Sequence, residues 1–417
     1  MKKKIAIIGG GAAGMMAAAR IAELDADIKV VLFEKNPSLG RKVIISGGGR
    51  CNVTTGIQDV RAVLSRYARG NKFLNSAMWN FPPAAVYDWF EGHGVPLKTE
   101  DDQRVFPKSN DGADIVDVFE RLFADANVEL RLKSSVRRVS QSGPQATTYI
   151  VESDNQLEEF DAIILTTGGQ AYRHTGSTGD GYSFAESMGH HITPLAASLN
   201  SFMLSDKWIK SVPGVSFTDV LLTSSRNLQH KSQGAIVCTH TGISGPAVFA
   251  LSAQIAFEDY TKANPLTIYI DWLPNESSDS IRAVMNNACE QYPKRQLNRL
   301  LHDWLPKSLV TQILEQLNID EQIPLAELSK SRRTILVEQL KRSSVNLIGR
   351  SSGSEFVTAG GVDTDEINPK TMESRISPGL FFAGEIMNVD GVTGGFNLQA
   401  SWAAGYLAAE GAIGFLV

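Results

Sequence analysis

Apolar and polar positions change their rhythm several times along this chain. Near the start, Ile5–Ile8 and Lys29–Phe33 are short, almost unbroken apolar runs, the pattern of parallel strands buried on both faces. Between them Ala12–Leu24 is rich in helix formers, so residues 4 to 35 predict strand, glycine-rich turn, helix, strand. A helical and irregular region then runs to about residue 125, with an amphipathic segment, Phe81 to Phe90, started by prolines. From Val128 to Phe160 two β-like runs are parted by the polar SQSGPQ, which predicts a hairpin. Ala162 to Thr166 is another buried strand, ending in TTGGQ.

After Pro194 the rhythm becomes alternation. VLLTSS, AIVCTH and LTIYIDW, within residues 195 to about 272, predict an antiparallel sheet or barrel. Residues 276 to about 340 are a helical block rich in Leu, Gln, Arg and Lys. From Ser343 the glycine-rich α/β character returns, with VTAGGV, GLFFAGE and VTGGFNLQASWAAGYLAAE. The fold class this predicts is α/β. A Rossmann-like domain is built from both chain ends (1–194 and 343–417) around an inserted β-barrel-like domain (195–274, with a short return near 335–350) and a small helical subdomain (275–340).

Composition narrows the functional classes. At 417 residues the chain exceeds what one core usually serves, and 43% hydrophobic with 20% charged residues is ordinary for a globular protein. A net charge of −5 gives no bulk attraction to nucleic acid or to an anionic membrane, and no apolar run is long enough to span a bilayer. MKKKIAIIGGGAAGMMAAA has the outline of a secretory signal, but glycines interrupt its apolar part and the pattern continues into KVVLFE. Cys51, Cys238 and Cys289 form no CxxC pair, too few for a disulfide framework or a cysteine metal site. A reducing cytoplasm is the expected location, and no metal is expected.

Gly9-x-Gly11-x-x-Gly14 lies directly after a buried strand and opens a helix, where a dinucleotide motif has to lie. Gly9 allows the tight turn, Gly11 lets backbone approach a pyrophosphate, and Gly14 lets helix pack on strand. The phosphates then face helix N–H groups at the positive end of the helix dipole. Glu34, twenty positions after Gly14, ends the second strand where a carboxylate takes ribose hydroxyls, which favours FAD or NAD over NADP. The C-terminus chooses between the two. Gly379 to Glu385 is an apolar strand ending in glycine and an acid, and a helix opening near Gly394 or Gly395 aims N–H groups at the flavin N1/O2 edge. An NAD-only dehydrogenase has no use for that second constellation, so FAD is the expected cofactor.

Six stretches then follow one another in order: GRKVIISGGGRCNVT from Gly40, TGSTGDGY from Thr175, THTGISGPAV from Thr239, VTAGGV from Val357, TMES from Thr371, and GEIMNVDGVTGGFNLQ from Gly384. Together they closely resemble the YhiN/BaiN-type bacterial flavoproteins, a family of NAD(P)/FAD-dependent oxidoreductases. The family includes aminoacetone-oxidase-like members and a bile-acid-pathway reductase. The resemblance covers essentially the whole chain and implies an FAD-binding domain with an inserted β-barrel-like domain and a small helical domain. Asn388 departs from the acid expected before the Val-Asp pair, while Asp390 is kept.

The cofactor set so implied begins with Gly9, Gly11, Ala12, Ala13, Gly14, Glu34 and Lys35. Arg41 and Lys42 would lie near the pyrophosphate and ribityl region, where cations offset phosphate charge. Ser46, Gly47, Gly48 and Gly49 would run along the isoalloxazine ring, with Arg50, Cys51 and Asn52 at its reactive side. Val136 would pass beside the adenine, or be an ordinary strand valine; Thr166, Thr167 and Gly168 would close on the same cofactor edge. Gly384, Glu385, Asp390, Thr393, Gly394, Gly395, Asn397 and Leu398 complete it around the ribityl chain and flavin. Cys51 has no resolving partner for thiol-disulfide chemistry, so close packing is its expected role.

Tyr172, His174 and Thr178 are candidates for substrate contact, and His240 for an acid or base or a loop cap. His190-His191 reads as the polar end of a helix, and KRQLNRL and KSRRTILVEQLKR as solvated basic faces. The expected partner is a small organic substrate, with NAD(P)H as a transient co-substrate and no nucleic acid or membrane. Whether the chain is a monomer or homodimer is left open, as is the catalytic acid or base. An FAD-dependent amine oxidase using oxygen, and a non-catalytic or RNA-associated flavoprotein, are the rival readings.

Overall fold

Five short strands form one wholly parallel sheet in the order 380–382, 162–165, 4–8, 29–33, 128–131. The computed structural model in which they are seen describes residues 2–25, 27–143, 147–154, 156–351 and 355–417. Strand β1, Lys4–Ile8, leads through the glycine turn into helix α1, Ala12–Leu24, and back into β2, Lys29–Phe33. Both strands are buried except at their first residue, as unbroken apolar runs require. The register aligns Ile8 with Phe33 and with Leu165, and Leu165 with Phe382. One edge of the sheet therefore releases Gly9, Glu34, Thr166 and Ala383 side by side.

The chain divides into two compact units, Met1–Ser198 with Phe356–Val417, and Leu199–Glu355. In the first, a long C-terminal helix, Phe396–Leu416, packs against α1. Their approach is close: a Cβ on Gly405 would stand 2.3 Å from Ala13 O. The expected hairpin between 128 and 160 proves more divided. Val128–Arg131 joins the parallel sheet beside β2, and Val136–Gln141, Tyr149–Ser153 and Gln156–Phe160 form a separate antiparallel sheet. Val136 begins one of these strands, opposite Ser153. Pro144 and Gln145 of SQSGPQ lie outside the described residues.

The second unit is a closed six-stranded barrel in the order 202–204, 242–244, 231–238, 216–224, 266–271, 343–350. Its alternating residues put Val220, Leu222, Ile236, Ile268, Ile270, Val345 and Leu347 into the core. The short return expected near 335–350 is Ser343–Arg350, the closing strand, paired with 202–204 and 266–271, so the first domain resumes at Phe356 and not at 343. The helical block has no core of its own, because Ile281, Met285, Leu336, Val337 and Leu340 share one hydrophobic cluster with the barrel. Helices that short cannot bury an apolar stripe alone.

Candidate flavin site

The parallel edge builds the site from backbone before any side chain is considered. Gly9, at φ +112°, turns so sharply under the next strand that a Cβ there would stand 2.6 Å from Thr166 O. At Gly14 a Cβ would come within 2.0 Å of Gly9 O, so the helix can lie on the strand only with glycine there. Gly11, which caps α1, differs: nothing stands within 4 Å of its Cβ position. Ala12 and Ala13 follow as the buried first turn of α1, whose leading N–H groups have no helical acceptor. Thr166 hydroxyl donates to Gly9 O (2.8 Å) and locks the turn to the sheet. The Thr167 hydroxyl is enclosed, since a Cβ on Gly181 would stand 2.0 Å from it. Gly168, at φ +73°, turns the chain away beside Ser177.

The charged candidates arrive already paired. Glu34 is buried and accepts from Gly10 N–H (2.8 Å) and from both Asn36 N–H and its amide (2.8 and 2.7 Å). Its carboxylate thus organises the glycine turn. Lys35 is drawn to Thr178 and Asp180, and Arg41 donates to Asn36 Oδ1 (3.0 Å). Lys42 pairs with Glu385 (2.6 Å), whose other oxygen accepts from Thr358 N–H (2.9 Å). The first and the last of the six ordered stretches are thereby joined. Gly384, at φ +83°, precedes Glu385, with Ala13 Cβ only 3.0 Å from its own Cβ position.

Asp390 is the clear correction. Expected on the ribityl chain, it is wholly buried, with both oxygens taken by the Arg69 guanidinium and one also by Ser198 Oγ (2.7 Å). It ties strand 390–391 to 67–69 and is closed to a cofactor. Around it Asn397 clasps Gly391, accepting from its N–H and donating to its O (both 2.9 Å). Thr393 and Gly394 lead to Gly395, at φ +88°, which begins the C-terminal helix with Leu398 partly buried in its first turn. Gly395 is compelled, because a Cβ would stand 2.2 Å from Thr54 O.

The loop from Gly40 packs against this helix start. With its amide turned to suit its neighbours, Asn52 accepts from Gly395 N–H (2.9 Å) and donates to Thr54 O (3.1 Å). Ser46 donates to Val43 O (2.7 Å), opening a short 3₁₀ turn over Ser46–Gly49. Gly47 leans on Phe106, whereas Gly48 and Gly49, both left-handed and exposed, have nothing within 4 Å of their Cβ positions. Arg50 lays its guanidinium 3.8 Å over the Phe106 ring and pairs with Glu100 (2.7 Å). Cys51 is fully buried, and burial pushes its thiol up to about 12, against the pull of Ser46. A thiol held neutral is neither nucleophile nor ligand, so its role is packing.

Sequence reasoning missed Arg69, Glu100, Phe106 and Thr358, which hold the residues it did name. It also missed Gln399, buried between Thr54 (2.6 Å) and Phe81 O (2.9 Å), though GFNLQ had been singled out. Tyr172 takes a left-handed conformation beside His174 and Phe356, and Thr178 serves Lys35. His240 is exposed in the second unit. His190 is no polar helix end: its side chain is buried between Glu366 (3.1 Å) and Ser374 (2.7 Å). Among the described residues no group of three His, Cys, Asp or Glu is placed to hold a metal, and no helix is long and apolar enough to cross a membrane.

The chemistry of this edge fits a dinucleotide. Bare backbone at Gly11 and at Gly48–Gly49 leaves open space where side chains would stand, next to two helix N-termini that attract anionic groups. Known proteins agree. Residues 3–411 match the HI0933-like protein Rossmann domain profile. The chain is 30% identical over 412 residues to a 3-dehydro-bile acid delta(4,6)-reductase of Clostridium scindens, covering 98% of each. It is 30% identical over 409 residues to a ribosomal RNA dihydrouridine synthase of Haemophilus influenzae, covering 97% of this chain and 96% of that one. In fold it is similar to a 3-ketosteroid delta1-dehydrogenase from Sterolibacterium denitrificans (TM-score 0.50, 12% identity, 97% and 98% covered).

Proposed function

This chain belongs to the HI0933-like Rossmann family and is an FAD-dependent oxidoreductase, and from that premise we propose that it saturates a carbon–carbon double bond conjugated to a carbonyl. The observation that carries this reading is a shared chemistry behind two dissimilar names. A delta(4,6)-reductase of a 3-oxo steroid acid and a synthase of dihydrouridine both add two hydrogens to a double bond next to a carbonyl. One site chemistry serves both if the carbonyl is gripped and the rest of the substrate is left to differ.

FAD, when bound, supplies the two electrons and the hydride hydrogen, with NAD(P)H as the transient donor that restores them. Holding the acceptor falls to the chain. Hydride adds at the β-carbon, negative charge moves to the carbonyl oxygen, and a proton completes the α-carbon. Arg50 is the group suited to that oxygen: partly exposed, held over the Phe106 ring, and oriented by Glu100. The exposed glycines before it let a flat acceptor approach the backbone.

Anaerobic incubation of the holoprotein with NADH or NADPH and a 3-oxo-4-ene steroid or a uridine oligonucleotide tests the proposal. Product heavier by two hydrogens in either case supports it. Flavin bleaching by aminoacetone, with neither acceptor reduced, supports the amine-oxidase reading instead.

A further inference from the structure

We propose that the barrel unit carries a docking groove for single-stranded RNA, formed by the loop after helix Ser278–Gln291. The inference rests on the reductase reading and assigns its acceptor to a base within a polynucleotide. An open groove of about 590 Å³ is lined by Gln291, Tyr292, Pro293, Lys294, Arg295 and Arg299. Tyr292 is 57% exposed, a large aromatic that surrounding water disfavours unless something stacks on it. Among the described residues neither Lys294 nor Arg299 enters an ion pair, while Arg295 is held by Asp303 (2.7 Å). The acid adjoining in sequence is Glu290, exposed at the end of the helix. Two uncommitted cations beside an exposed ring stand out in a chain whose net charge is −5.

The loop is built, not slack. Tyr292 N–H caps the helix on Ala288 O (2.9 Å), and Arg295 N–H turns back to Tyr292 O (2.9 Å). A second segment then clamps it: Leu325 N–H to Arg295 O (2.9 Å), Ala326 N–H to Pro293 O (3.0 Å), and a bridge between Gln296 and Pro324. Ring and cations are thus presented on a rigid backbone, which lowers the ordering entropy a ligand must supply. A ring for a base beside point charges for phosphates is the pairing that single-stranded nucleic acid uses.

The test is binding of a labelled single-stranded RNA of roughly twenty nucleotides to the holoprotein across a salt series. Joint Lys294→Ala and Arg299→Ala should weaken it about tenfold and flatten the salt slope by about 1.4, some 0.7 per phosphate contact. Tyr292→Ala should weaken it about tenfold and leave the slope unchanged. These side chains are exposed, so the variants keep their fold and their reduction of a free small enone. No binding by the unaltered protein, binding unmoved by these variants, or equal affinity for heparin insensitive to Tyr292→Ala overturns the proposal. Loss of enone reduction in the unaltered protein, with RNA binding intact, would instead overturn the reductase reading alone.

Discussion

In the nucleotide-binding unit the positions that set the turn and the helix approach carry no side chain; in the barrel unit the positions that set its shape carry branched aliphatic ones. Gly9, Gly14, Gly395 and Gly405 each lie where a Cβ would stand 2.0 to 2.6 Å from a backbone oxygen, so shape is set by exclusion. Ile268, Ile270, Val345 and Leu347 alternate inward in the barrel, so shape is set by filling. Exclusion admits one residue type and leaves backbone bare for a ligand. Filling accepts many residues of similar volume and says nothing about what the unit binds.

The largest effect should come from breaking an exclusion. Gly14→Val pushes two further carbons beyond a Cβ already 2.0 Å from Gly9 O, well above the ~3 kcal/mol of ordinary overpacking. Purified material should be scarce, colourless and without a cooperative melt; a yellow, folded variant would show that the turn can yield. Ile268→Ala, at a fully buried barrel position, should remove about 2–5 kcal/mol from urea unfolding and leave flavin content unchanged. Flavin lost in proportion would mean that the units do not unfold as separately as their two cores suggest.

That contrast also explains what could be read in advance. The first βαβ was legible because its glycines recur at a fixed local spacing: Gly14 answers to Gly9 O five residues back, even though Gly9 itself answers to the distant Thr166. The return near 335–350 was placed in the barrel, but its overlap with a first domain resuming at 343 was not resolved, because the partners of Ser343–Arg350, 202–204 and 266–271, lie 70 or more residues off and leave no local mark. Asp390 was expected at the ribityl chain because the family resemblance implied it. Only tertiary structure reveals Arg69 and Ser198 enclosing it. Glu100 and Phe106, in an unremarkable polar turn and strand, had no signal at all until Arg50 was seen between them. His190 is the converse, a polar pair by pattern that tertiary packing buries against Phe382.

Activity offers a third way to sharpen the comparison, since Arg50 is a side chain placed by bare backbone. Arg50→Ala should lower kcat for enone reduction about 10²–10³-fold while flavin absorbance is retained. Arg50→Lys should recover only part, because an ammonium lacks the planar fork that lets the guanidinium sit over Phe106 and pair with Glu100 together. Unchanged turnover in both would remove Arg50 from the site. Gly11→Ala should be milder. Its Cβ meets no protein atom, so apoprotein stability should hold while FAD affinity falls about tenfold, ~1.4 kcal/mol. A fall in apoprotein stability instead would mean that Gly11 serves the turn and not the ligand.

The smallest effect belongs to charge on the outer strand of the same parallel sheet, where neither exclusion nor filling operates. Arg131, then Lys29, hold the Glu129 carboxyl down from 4.5 to about 2. A depressed carboxylate stabilises the fold above its unfolded pKa, and that contribution is lost as pH falls through the folded one. Its side chain is 38% exposed, so solvent screening limits the contribution to less than ~1 kcal/mol. Urea midpoints of the native chain and Glu129→Gln should therefore differ slightly near neutrality. The gap should begin to close below about pH 4.5 and shrink further toward pH 2. It should also shrink in about 1 M salt, where the Debye length falls to about 3 Å. A gap indifferent to both acid and salt would mean that Glu129 acts through packing, bringing even this exposed edge under the rule of shape that governs the rest of the unit.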